Sequence, residues 1–282
     1  MHTLACPCVP PLPKAVFFDI EGTLMHDGVC IDGAPQAVAA VRQAGLAVRF
    51  LTNITARPPE AIAASLAGQG ITVHAREVFT ATSACAASLR RRPGCRVHLL
   101  VDHAVEPLFE GLPRDDHAPH AVVLGDIGER FSFTALDQAF QMLQRGAELW
   151  ALSRNPFWFR NGQRRLDVGA FVAALEAAAG CTAVLCGKPS ATFFQTALDS
   201  LTTDCGPVPP SQVLMVGDDL TTDIAGAVNA GMPCCLVGTG KFAPAHRAQA
   251  QALGAAVLPS VAALPEVLQR VSPALDMPRQ FH

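Results

Sequence analysis

The chain has 282 residues, half of them hydrophobic and only 16% charged, with a formal net charge of −3. That is enough apolar material for one large domain or two modest ones, and too hydrophobic for a disordered chain. Arg is scattered rather than clustered, which argues against a nucleic-acid or anionic-membrane partner, and no apolar run approaches a membrane span.

Met1 to Cys8 lacks the basic and apolar regions of a signal peptide, so the expected compartment is the cytoplasm. The ten cysteines form no paired C-x-x-C arrangement and read as reduced, mostly buried thiols. Cys6 and Cys8 come closest to a metal pair, but they lie in a Pro-rich stretch, 1–13, that reads as a loose tail.

Residues 14–20 form an apolar run that predicts a buried parallel strand. It ends in Asp19 and Glu21, followed by Gly22-Thr23. The loop to Pro35 turns at Gly22, Gly28 and Gly33. A helix over 35–44 presents Ala37, Val38 and Val41 at helical spacing and stops at Gly45. A second strand, 46–51, leads into Thr52-Asn53, and helices follow over 58–66 and 80–92. Strands at 97–101, 121–124 and 149–152, with helices at 133–145 and 168–179, read as a separate small α/β module over 94–182.

The first pattern then resumes. A strand over 183–186 enters Gly187-Lys188-Pro189-Ser190, and the following helix runs to about Leu201. A strand over 213–216 ends in Gly217-Asp218-Asp219, with a helix near 222–229. A strand over 233–237 precedes Gly238-Thr239-Gly240-Lys241, a last helix covers 261–271, and 272–282 reads as a loose tail. Alternating apolar strands and amphipathic helices predict βαβ units and a parallel sheet with right-handed crossovers. The main body is then discontinuous, 14–93 and 183–271.

In a parallel sheet the carboxyl ends of the strands share one edge, where ligands bind. Those ends collect Asp19 and Glu21, then Thr52 and Asn53, then Asp218, Asp219 and Asp223; a loop before a helix adds Lys188. Carboxylates hold a hard cation, Lys and hydroxyl donors take phosphoryl oxygens, and one carboxylate can attack phosphorus. Each residue alone has a plain alternative, as a helix cap, turn or surface group; their order at strand ends is what favours metal-assisted phosphoryl transfer.

Across about residues 14–271 the chain resembles the haloacid dehalogenase superfamily of aspartate-nucleophile phosphatases. Four motifs occur in the family's order: Phe18 to Leu24; Phe50-Leu51-Thr52-Asn53; Gly187-Lys188-Pro189-Ser190; and Gly217 to Asp223. Placing the extra module between the second and third motifs resembles the subclass with a large α/β cap. Leu166 to Gly180, the Lys188 motif and Val237 to Lys241 resemble the branch of phospholysine phosphohistidine inorganic pyrophosphate phosphatases and related hydrolase-domain proteins. The implied fold is α/β, a Rossmann-like doubly wound parallel-sheet core with the inserted cap at 94–182.

The implied activity is Mg²⁺-dependent hydrolysis of a small phosphorylated metabolite, a phosphomonoester, pyrophosphate or phosphoramidate, through an aspartyl-phosphate. Asp19 is then the nucleophile and Glu21 the acid and base. Thr52, Asn53 and Lys188 bind phosphate. Asp19, Asp218 and the Glu21 backbone carbonyl ligate Mg²⁺, while Asp223 supports the metal or partners Lys188. The subclass admits a homodimer through the cap. Family phosphatases usually carry Asp at the position of Glu21 and this branch can carry Ser there, so a phosphotransferase or mutase, or a slow or inactive phosphate-binding protein, stands as the alternative.

Three other stretches stand out. Gly238 to Lys241 lacks the earlier Gly and the following Ser or Thr of a nucleotide P-loop, and is expected only to border the site. Asp115 to His120 has metal-ligand residue types but reads as a polar loop. Arg154, Asn155, Trp158 and Arg160 combine an aromatic with cations that suit an anionic or aromatic leaving group, against the plain reading of a cap hairpin packed on its own core.

Overall fold

The structure, a computed structural model, describes residues 13–160 and 163–271. Cys6 and Cys8 and both expected tails, but for residue 13, lie outside the described residues. In chain order the first elements are β1 (Ala15–Asp19), the short hairpin β2 (Met25–His26) and β3 (Val29–Cys30), α1 (Ala34–Gln43), β4 (Ala47–Thr52), α2 (Pro59–Gly68), β5 (Val78–Thr80) and α3 (Ala81–Arg90). Next come β6 (Val97–Leu100), β7 (Ala121–Leu124), α4 (Phe133–Gln144), β8 (Glu148–Ala151), β9 (Phe157–Arg160), β10 (Gln163–Leu166), α5 (Val168–Ala179) and β11 (Val184–Leu185). The last are α6 (Ala191–Ser200), α7 (Thr202–Cys205), β12 (Val213–Gly217), α8 (Ala225–Asn229), β13 (Cys234–Val237), α9 (His246–Ala252), β14 (Ala256–Leu258) and α10 (Leu264–Val271).

The chain divides into two compact units. The first holds 13–52, Ile62–Phe79 and 194–271. Its sheet has the order β14-β13-β12-β1-β4-β5. Every pairing between neighbours from β14 to β4 is parallel. Ala15 to Phe18 are all fully buried, which is why the central strand reads as an unbroken apolar run. Phe18 stacks on Phe50 of β4 at 6.2 Å between ring centroids. A basic side chain also enters this core. Arg49 is buried and spends its guanidinium on the Ser200 hydroxyl and carbonyl, the Val48 carbonyl and Asp204, which satisfies a charge that would otherwise be costly to bury.

The second unit holds Asn53–Ala61 and Thr80–Phe193. Its parallel sheet has the order β11-β8-β7-β6. Alternate residues of its strands feed two cores. Val97, Ala121, Val123, Trp150 and Leu152 pack with Ala81, Cys85 and Leu89 of α3 and with Phe109. Val122, Leu124, Leu149 and Ala151 pack with Met142 of α4 and with Val172 and Leu175 of α5.

The expected main body, 14–93 and 183–271, is trimmed: Asn53–Ala61 and 80–93 fall in the second unit, as does 183–193. The helix expected over 80–92 in the main body is α3, and its apolar stripe instead closes one face of the second sheet. The strand expected over 183–186 in the main body is β11, which instead pairs with β8, Val184 opposite Trp150. So short an apolar run does not say which sheet it joins. The described cysteines are all free thiols.

Candidate active site

Register brings the acidic residues of the first unit together. Asp19 lies opposite Leu51, so Thr52 follows directly on the neighbouring strand. On the other side Phe18 lies opposite Val216, which sets Gly217 beside Asp19 and Asp218 just beyond. A turn of π-helix, Leu220–Ile224, carries Asp223 back beneath Gly217. Its start is capped by Asp219, whose carboxylate accepts the N–H groups of Thr221 and Thr222. Asp19, Thr52, Asp218 and Asp223 are all buried.

One oxygen of each of Asp19, Asp218 and Asp223 lies within 4.8 Å of the others, the one such acidic group found among the described residues. Burial, then the charges of Asp19 and Asp223, push the Asp218 carboxyl well above its usual range, against the Lys241 N–H that stabilises its anion. A cation held between these carboxylates would offset the burial and like charge that disfavour the Asp218 anion. An all-oxygen set of this kind suits a hard divalent ion such as Mg²⁺, which takes few carboxylates and keeps its waters.

Glycine makes the crowding possible. Gly22 has φ +90°, and a Cβ there would fall 2.2 Å from Asp218 Oδ2. A Cβ on Gly217 would fall 2.3 Å from Asp223 Oδ2. Any larger residue at either position displaces a carboxylate.

Glu21 stands apart from that cluster. Its side chain is about half exposed, and Oε1 accepts the Asp27 N–H at 3.0 Å with His26 Nδ1 at 3.9 Å. Asp27 holds a left-handed backbone, φ 48°, in the β2–β3 hairpin. Desolvation raises the Glu21 pKa and the nearby Asp19 charge adds to it; the Asp27 N–H and His26 oppose, and the net direction is up. A carboxyl that keeps its proton more readily is suited to donate it.

Asn53 and Lys188 belong to the second unit and are joined to each other. The Asn53 side chain donates to the Lys188 carbonyl at 3.0 Å and accepts its N–H at 2.8 Å. A Cβ on Gly187 would fall 2.5 Å from Asn53 Oδ1, so the glycine admits this amide clasp. Thr82 Oγ1 donates to the Thr55 carbonyl, and Thr55 Oγ1 accepts the Asp126 N–H, which fixes the segment that carries Asn53.

The expected substrate-reading residues are spread. Arg154 is engaged with Glu176 and the Ala183 carbonyl, and the Asn155 carbonyl accepts the Gly169 N–H. Trp158 is 41% exposed on β9. The Arg160 side chain lies outside the described residues. Asp115 accepts the N–H groups of His117 and Ala118 and pairs with Arg96, the arrangement of a polar turn. Sequence reasoning expected Gly238 to Lys241 only to border the site and gave Lys241 no role among the acidic residues. Its backbone N–H donates to Asp218 Oδ2 at 2.7 Å and its ammonium lies 2.8 Å from Asp219 Oδ2. Burial would lower the Lys241 pKa, but Asp219, Asp218 and Asp19 raise it, and the same pair holds Asp219 low despite its burial.

Comparison with known proteins places the chain in a family. A haloacid dehalogenase-like hydrolase model matches residues 16–112, and a second HAD-hydrolase-like model matches 185–264. Haloacid dehalogenase-like hydrolase domain-containing protein 2 of Rattus norvegicus is 38% identical over 229 residues, covering 81% of this chain and 85% of the relative. Phospholysine phosphohistidine inorganic pyrophosphate phosphatase of Xenopus laevis is 36% identical over 238 residues, 82% of this chain and 85% of the relative. A 4-nitrophenylphosphatase from Thermotoga maritima superposes with a TM-score of 0.82 at 26% identity, covering 92% of this chain and 98% of its own. A glycerol phosphate phosphatase from Mycobacterium tuberculosis, in complex with magnesium, gives 0.79 at 26% identity, 89% of this chain and 76% of its own. The chain belongs to the haloacid dehalogenase-like hydrolase family, as an enzyme of its phosphatase type.

Proposed function

We propose that this enzyme is a Mg²⁺-dependent phosphatase acting on a small phosphorylated metabolite, a phosphomonoester, pyrophosphate or phosphoramidate, through an aspartyl-phosphate on Asp19. The observation that carries the reading is the buried Asp19 with Asp218 and Asp223, their oxygens within 4.8 Å. Asp19, Asp218 and Asp223 would hold the metal, with the Glu21 backbone carbonyl. Bound Mg²⁺ supplies positive charge that offsets the phosphoryl oxygens and the Asp19 carboxylate.

In the first step an Asp19 oxygen bonds to phosphorus and the bond to the leaving group breaks. Glu21 gives its proton to the departing atom. In the second step Glu21 takes a proton from water, the water oxygen bonds to phosphorus, and the Asp19–phosphorus bond breaks to release phosphate. The Thr52 hydroxyl and the Lys188 ammonium bind the phosphoryl oxygens, and Asn53 holds the Lys188 backbone for that task.

A slow hydrolase with a long-lived phospho-enzyme is the second reading. One observation favours it: the Glu21 carboxylate is engaged by the Asp27 N–H of the hairpin. Glu21→Asp separates the two on a generic phosphoester such as 4-nitrophenyl phosphate. A clear gain in turnover supports the slow reading, and a loss supports Glu21 as the tuned acid. A phosphotransferase or mutase would transfer phosphate to an added acceptor faster than it releases phosphate to water.

A further inference from the structure

The loop after β13 reaches across the carboxyl ends of two other strands. Thr239 Oγ1 donates to the Gly22 carbonyl, beyond β1, at 2.6 Å. The Lys241 N–H donates to Asp218 Oδ2, beyond β12, at 2.7 Å. The Lys241 ammonium closes the circuit on Asp219 Oδ2 at 2.8 Å, and Asp219 is itself fixed as the cap of the π-helical turn. Gly240, φ +58°, sits at the point of closest approach: a Cβ there would fall 2.1 Å from Asp218 Oδ2 and 2.6 Å from the Gly22 Cα. The loop therefore closes only with glycine in the middle. Each end is tied by a different side chain, and the hydrogen bond between them goes to an ionisable oxygen.

We propose that Thr239-Gly240-Lys241 is a clamp that positions the metal-binding carboxylate of Asp218. Lys241 and Thr239 are its positioning residues and act through the Lys241 backbone N–H. The proposal rests on the reading of Asp218 as a metal ligand. An N–H donor to one carboxylate oxygen fixes the rotation of the group, so its remaining lone pairs are aimed before metal arrives. Without the Lys241–Asp219 pair the loop keeps its sequence but loses its anchor. Asp218 then turns more freely, and metal binding must order it.

Mn²⁺, visible by electron paramagnetic resonance, serves as the probe on the full chain. Substitutions of groups that support metal ligands typically weaken affinity about 10–100-fold. Lys241→Met and Thr239→Val are expected to weaken Mn²⁺ binding by about 10-fold or more, with the thermal midpoint of the metal-free protein near that of wild type. Lys241→Arg and Thr239→Ser, which keep the charge and the hydroxyl, recover most of the affinity. Adding Asp219→Asn to Lys241→Met costs no more than Lys241→Met alone, because both break one pair. Asp218→Asn is the control for the metal reading, and its binding wild-type Mn²⁺ overturns that reading and the clamp with it. Lost binding in Asp218→Asn alongside wild-type affinity in Lys241→Met and Thr239→Val overturns the clamp alone. If Lys241→Met does not fold, Thr239→Val and its Thr239→Ser rescue decide the question.

Discussion

Glu21 carries one methylene more than the Asp usual at its place in the family, and the structure shows where that length goes. Its carboxylate extends to the β2–β3 hairpin and accepts the Asp27 N–H, while Asp19 stays buried behind it. The raised proton affinity of Glu21 comes from partial burial and from the Asp19 charge, the pattern expected of a general acid. Replacing it by Gln keeps the shape and removes the exchangeable proton. Glu21→Gln is expected to lower phosphate release from 4-nitrophenyl phosphate by about 10²–10⁴-fold, the usual worth of such a group. Wild-type turnover in that variant would remove Glu21 from the proton transfers. Asp19, Asp218 and Asp223 were legible as a set, because carboxylates recurring in order near strand ends leave a signature that no one of them carries alone. The Lys241 loop was legible only as a border of the site, since its contact with Asp218 is made by a backbone N–H that every residue but proline owns.

At the scale of elements, short ties set where functional segments lie. Asn53 pairs with both backbone groups of Lys188. Asn53→Ala strands that N–H and carbonyl, at a cost of about 1–3 kcal/mol if both stay buried. A phosphate analogue such as vanadate should then bind about tenfold more weakly, given the roughly 1.4 kcal/mol per decade of affinity. Unchanged inhibition by vanadate would show that the clasp does not support anion binding. Arg42 of α1 and Glu77 make a bidentate pair, with Oε1 and Oε2 at 2.9 and 2.7 Å from the guanidinium. Burial alone would raise the Glu77 pKa, but Arg42 and the His74 N–H outweigh it and the net direction is down from 4.5. The folded-state value thus lies below the unfolded one. The pair stabilises fully above the unfolded value, and that contribution is lost as pH falls through the lowered one. Urea melts from pH 7 down to 3 should show Glu77→Gln losing less stability on acidification than wild type. Equal slopes would contradict the pair's role.

For the whole molecule, the α/β class with a parallel sheet was legible because both-face burial turns whole strands apolar. Val213–Gly217 and Cys234–Val237 show it as plainly as β1. The edge strands Val78–Thr80 and Ala256–Leu258 were not, since three residues between turns carry no period. Helix α9 was also hidden: in His246–Ala252 only Ala250 is buried, so no apolar stripe marks it. The boundaries of the second unit, though not the existence of a module over 94–182, eluded the sequence for a related reason. The stripe of α3 reads the same whichever sheet it covers, and only the packing of Cys85 and Leu89 against Val97 and Val123 assigns it. No helix among the described residues is long and apolar enough to cross a membrane. Covalent phosphorylation of one carboxylate, Asp19, is the central step of the proposed reaction. Acid quench of the enzyme during turnover of phosphorus-labelled 4-nitrophenyl phosphate with Mg²⁺, followed by peptide mapping, tests it. The expected result is label on the peptide containing Asp19, absent in Asp19→Asn, which also fails to release phosphate. Phosphate release at the wild-type rate by Asp19→Asn, or label on another residue, would contradict it.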